Sequence, residues 1–206
     1  MKALLLKDWM LLENQKRFFL SIFFISVVLI VLGQGSFAIS LATMIASMFT
    51  VSTIAYDEYD HGYPFLMSLP FDRKTYVLSK YVFGVVAGLL SGGLVLFFSF
   101  LWDRNIEYVL TFGSIICMVL LMLSIYIPLV LKFGSESSRL AIVGLVGFIF
   151  VLGMFLNAIG FSIEGLQSWI VMMHPMALFV VVLVFMVLIY RFSCWMSIRI
   201  MKKKEF

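Results

Sequence analysis

Six apolar runs divide this 206-residue chain, and none contains an Asp, Glu, Lys or Arg. They fall at Phe18–Leu32, Ser36–Tyr56, Tyr81–Leu101, Tyr108–Leu131, Leu140–Gly160 and Ile170–Tyr190. A helix needs roughly 17–25 apolar residues to cross ~30 Å of hydrocarbon, and only the first run is short for that. The pattern predicts an all-α integral membrane protein with six transmembrane helices. Composition agrees: 63% of residues are hydrophobic and 13% charged, against about 25% charged in a soluble domain. So little chain lies between the spans that residues 1–206 read as one transmembrane domain. Cys117 and Cys194 lie in or beside spans and do not suggest a disulfide framework.

Charge placement gives an orientation. With the N-terminus inside, every Lys and Arg of the 15 except Arg104 falls on the inner side. Such a bias is a strong positive-inside signal, and it predicts that both termini are cytoplasmic. The net charge of +4 is explained by topology, with the basic tail at 191–206 lying against anionic inner-leaflet lipid. Nucleic acid is not needed as a partner; the lipid bilayer is. Residues 1–17 carry charges on both sides of Trp9 and no cleavage pattern follows the first run. They are expected to form an interfacial helix, with extension of the first span as the alternative. Leu5, Trp9 and Leu12 mark one stripe of that helix, Leu4 and Leu11 another, and Asp8 intrudes.

The longest connection, 57–80, is on the inner side. Asp57, Glu58 and Asp60 open it, and Gly62 and Tyr63 lead into Pro64-Phe65-Leu66-Met67-Ser68-Leu69-Pro70. Pro64 suits a first helical turn, Pro70 discourages helix before it, and Asp72 is placed to cap the next helix. The expectation is a short, apolar, exposed helix, which marks either a protein-binding surface or a dip into lipid.

Other features are weaker. Gly84, Gly88 and Gly92 recur every four residues in the third run and predict close helix packing, within one subunit rather than between two. Pro128 is expected to bend the fourth span near its inner end. The Met and Phe content suggests an adaptable apolar surface. Among sites of chemistry the chain lacks a G-x-x-x-x-G-K-[ST] phosphate loop, an H-E-x-x-H pair and paired carboxylates within a span. No catalytic, cofactor-binding or metal-ligating residues are therefore expected. Charge-free spans also speak against an ion-coupled carrier, which usually needs a carboxylate at depth.

The layout resembles the permease subunits of ABC-2 type transporters, in particular compact six-span bacterial permeases similar to those of Gram-positive peptide-toxin and bacteriocin exporters. The resemblance is carried by Glu58…Gly62 after the second span, then Ser68-Leu69-Pro70, Arg73, Tyr76 and Lys80, with Phe71 standing where the family pattern has a smaller residue. It implies that Met1–Arg17 is an elbow helix. It also implies that Glu58, Gly62–Pro70 and Arg73 couple to a cytoplasmic ATPase. Asn157, Glu164 and His174 would belong to an outer gate. Two ATPase subunits, carrying ATP and Mg, and a second, identical permease would be the partners of an exporter of apolar or amphipathic substrate. A non-transporting immunity or sensor-anchor protein is the alternative.

Overall fold

The computed structural model describes residues 2–59, 72–158 and 175–203, and every element among them is helical. The helices are α1 (Lys2–Asn14), α2 (Lys16–Val31), α3 (Gly35–Tyr59), α4 (Arg73–Trp102), α5 (Glu107–Phe133), α6 (Ser135–Ala158) and α7 (Pro175–Lys203). Where described, each of the six expected apolar runs lies on one helix of α2–α7. Among the described residues, α3, α4, α5 and Val180–Lys203 of α7 are long and apolar enough to cross a bilayer. The α1–α2 pair, bent by 69° at Gln15, would make a fifth if counted as one span. In a hydrocarbon solvent helices satisfy their own backbone groups, so such runs have few other folds open to them.

Helix α3 is central. It packs on α2, α4 and α5, while α7 lies across α5 and α4, and α6 leans on α5. Two apolar clusters hold the bundle. One, toward the end of the bundle where α1 begins and α7 ends, joins Leu4, Ile54, Tyr76, Tyr81, Leu123, Ile127 and Met201. The other, toward the opposite end, joins Ile22, Ile30, Ala38, Ile39, Val95 and Tyr108.

The α3–α4 seam explains the glycine repeat. Gly84, Gly88 and Gly92 of α4 face Thr50, Ser47 and Thr43 of α3 in register. A Cβ at Gly92 would overlap Thr43 Oγ1 and stand 2.7 Å from the Phe112 ring. The facing hydroxyls of Thr43 and Ser47 donate back to their own helix, to the Ile39 carbonyl at 2.6 Å and the Thr43 carbonyl at 2.9 Å. The seam is thus close and internal to one subunit, as the repeat suggested.

The helices extend past the apolar runs. Helix α7 does not stop at Tyr190. It continues through the basic tail because Ser193, Ser197 and Met201 form a buried face against the bundle, while Lys202 and Lys203 stay exposed. Helix α4 starts at Arg73, and Asp72 is its N-cap residue. Its side chain makes no capping bond, and the Asp72 carbonyl instead accepts the Thr75 N–H at 2.8 Å. Helix α5 runs through Pro128 to Phe133 as one element.

Candidate functional site

Of the residues expected to couple to a partner, Glu58 and Arg73 are described; Gly62, Tyr63, Pro64, Phe65, Leu66, Met67, Ser68, Leu69 and Pro70 lie outside the described residues. Of the expected outer gate, Asn157 falls in the last turn of α6, and Glu164 and His174 lie outside the described residues. The site that can be built is therefore the root of the α3–α4 connection: the last turns of α3, the first turns of α4, and what holds them.

At that root the sequence places charge where the helices bury it. On α1, residues four apart share a face, and the face that packs inward carries Leu4 and Asp8, not Trp9, which is exposed. On α3, Asp57 follows Thr53 by one turn and continues the stripe that faces α4. On α4, Tyr76 and Lys80 face back. The result is a buried cluster. Lys80 Nζ donates to Asp8 Oδ1 at 2.7 Å and to Thr53 Oγ1 at 3.0 Å, and pairs with Asp57 Oδ2 at 2.9 Å. Tyr76 Oη donates to the same Asp57 oxygen at 2.9 Å, and Lys7 Nζ bonds Asp57 Oδ1. Lys7 also approaches Asp8 Oδ1 to 3.9 Å. Lys80 is 1% exposed, Asp8 0% and Asp57 7%.

The two lysines and two aspartates balance in charge. Burying them is tolerable only because each is paired, since an unpaired ion in such a place costs several kcal/mol. The pairing is uneven. Asp57 has Lys7, Lys80 and Tyr76. Asp8 has one close partner, and its Oδ2 is buried with no hydrogen bond. Burial therefore pushes the Asp8 carboxyl above the ordinary carboxylate range, with Lys80 and then Lys7 pulling the other way. Chemically this is a tie between three helices. It shows no nucleophile held against a base, and among the described residues no group of His, Cys, Asp and Glu could hold a metal ion.

Two further ties leave the same root. Glu58 accepts the Ser135 N–H at 2.7 Å, so a carboxylate on α3 caps the first turn of α6, where helix-dipole and hydrogen-bond terms both favour an anion. The joint it reaches is a single residue, Gly134, at φ +84°, and a Cβ there would stand 2.5 Å from Glu58 Oε1. On the other side, Arg73 donates to the Met201 carbonyl at 3.1 Å and the Lys202 carbonyl at 2.9 Å, satisfying the end of α7. Higher up, α7 is bound to α4 through Tyr81, whose hydroxyl lies 2.6 Å from Ser193 Oγ and 2.8 Å from Ser197 Oγ, while Tyr190 donates to the Tyr81 carbonyl at 2.7 Å.

Sequence reasoning missed Asp8, Asp57 and Lys80 as a unit. Asp57 was grouped with the acidic residues that open the loop, and Lys80 entered only through charge placement and the family resemblance. The signal was Asp8: an acid within the otherwise apolar face of a short helix. A protein-family model described as "ABC-2 family transporter protein" matches residues 3–202. Comparison with curated proteins and with solved structures gives no match.

Proposed function

Because the chain belongs to the ABC-2 transporter family, we propose that this multi-pass membrane protein is the permease subunit of an ATP-driven exporter in a bacterial cytoplasmic membrane. It would have six spans and cytoplasmic termini. Two copies form the pathway, and two separate ATPase subunits dock below. The segment Pro64–Pro70 sits in a groove on the ATPase and carries its closure into the bundle. The substrate is apolar or amphipathic, a peptide or drug-like molecule, and moves outward; the subtype proposed is that of peptide-toxin and bacteriocin exporters. The observation that carries the proposal is a family match over nearly the whole length of a chain that has no phosphate loop of its own. The charge-free apolar runs support it, because the buried carboxylate that a span does carry, Asp57, sits in the last turns of α3 and is already paired with Lys7 and Lys80.

The test is a pull-down of the ATPase with membrane levels of the permease matched. Phe65, Leu66 and Leu69 would be the apolar anchors of a small interface, and burial of each is worth ~1.5–3 kcal/mol. In Leu66→Asp and Leu69→Asp an unpaired charge enters the groove. The permease should still insert, but ATPase association and export should both fail. Normal binding and export in both variants would refute the coupling role. Export that persists with a disabled ATPase and follows a proton gradient would refute ATP coupling itself.

A further inference from the structure

The bend between α1 and α2 leaves an apolar groove against α3 and α4 with a cavity of about 420 Å³. That lies within the roughly 300–1,000 Å³ range of small-molecule sites. Its floor is made of small side chains: Ala42 and Ala46 of α3 and Ala87 of α4, all less than 10% exposed. Larger side chains form its walls, Phe19 and Phe23 on α2 and Leu90 and Leu94 on α4. A row of alanines between such walls leaves a furrow open to the side, where the bilayer's hydrocarbon lies.

The mouth of the groove differs from its body. It is lined by Trp9, Glu13 and Lys16, at the α1–α2 bend. At that bend Gln15 Nε2 donates to Tyr56 Oη of α3 at 3.0 Å. Glu13 and Lys16 are exposed, and neither takes part in an ion pair among the described residues. An indole beside one anion and one cation, above an apolar furrow, matches a zwitterionic amphiphile: phosphate to Lys16, ammonium to Glu13, hydrocarbon along the alanines. A primary amine suits Glu13 best, because it can donate hydrogen bonds that a quaternary ammonium cannot.

We propose that this groove is a binding site for one bilayer phospholipid with an ethanolamine headgroup, seated with an acyl chain along Ala42, Ala46 and Ala87 and its headgroup between Glu13 and Lys16. Such a lipid would wedge the bend that carries Asp8 into the bundle.

The full-length protein with Trp102, Trp169 and Trp195 replaced by Phe retains Trp9 as a single reporter. It is placed in phosphatidylglycerol nanodiscs carrying a minor fraction of acyl-brominated phosphatidylethanolamine or phosphatidylcholine. Quenching of Trp9 should saturate with the ethanolamine lipid, and more tightly than with the choline lipid. Glu13→Gln and Lys16→Gln should each weaken the apparent affinity roughly fivefold. Ala87→Leu, which fills the floor, should remove the saturable component; if that variant does not fold, the two exposed rim variants decide alone. Quenching that rises linearly with brominated lipid and is equal for both headgroups would mean bulk bilayer only and overturn the site. So would cross-linking of two copies through Leu20→Cys, which would show that a second chain covers the groove.

Discussion

Removing the Lys80 ammonium should undock α1, and the geometry says which second change repairs it. In Lys80→Met the side chain keeps its bulk but loses its bonds to Asp8, Thr53 and Asp57. Asp57 still has Lys7 and Tyr76. Asp8 is left with Lys7 at 3.9 Å and a second oxygen that already lacks a partner. Breaking a buried pair in this way costs about 3–5 kcal/mol. Because the orphaned charge sits on α1, the loss should appear as local opening of that helix. At 1.4 kcal/mol per decade, hydrogen-exchange protection of α1 amides should fall by about two to three and a half orders of magnitude. Replacing both ions with apolar side chains is close to neutral, so Asp8→Leu should restore protection to Lys80→Met. Asp57→Leu should not, since it leaves Asp8 stranded. Lys7→Gln should have the smallest effect, because Lys7 is one-third exposed and Asp57 keeps two partners. Exchange by mass spectrometry in nanodiscs reads all four variants. Unchanged α1 protection in Lys80→Met, or equal rescue by Asp57→Leu, would refute the assignment of Asp8 as the dependent partner.

Three other outcomes are expected. Gly92→Ala should lower thermal stability by about 1–3 kcal/mol through overpacking against Thr43 and Phe112; Gly88→Ala, which meets mainly Ser47 Oγ, should be repaired by Ser47→Ala. Arg73→Gln should raise exchange at the end of α7, because the Met201 and Lys202 carbonyls lose their donor. In a background lacking Cys117 and Cys194, Arg104→Cys should react with an impermeant thiol reagent on intact cells, whereas Ser137→Cys should react only after permeabilisation; the reverse pattern would overturn the proposed orientation.

The helices were legible in the sequence because a charge-free apolar run has one good way to fold in hydrocarbon. The glycine repeat was legible for a similar reason: small residues four apart do little except admit another helix. Helix ends were legible only in part: Asp72 was placed as a cap and α4 begins at Arg73, but the last run was closed at the first charge, after Tyr190, and α7 ends at Lys203. A charge ends an apolar run but does not end a helix, and it is buried readily once a partner exists. Partners are set by tertiary contact: Asp8 and Lys80 are 72 residues apart. The same holds for Glu58, which reads as loop chemistry until α6 is seen to start beside it.

These long-range ties bear on how a push from below would be felt. If an ATPase acts on Pro64–Pro70, the force reaches the bundle through the end of α3 and the start of α4. Neither root is free to move alone. Asp57, Tyr76 and Lys80 bind them to each other and to α1; Glu58 binds α3 to the start of α6; Arg73 binds α4 to the end of α7. The α3–α4 seam itself is packed without slack at Gly88 and Gly92. A close-packed seam transmits displacement instead of absorbing it. The hairpin α3–α4 should therefore move as one body, with α1 carried along by its ion pair. Relative motion would then be concentrated at the single-residue joint Gly134 and at the bend at Gln15, the places where the backbone turns between helices with the fewest atoms to rearrange.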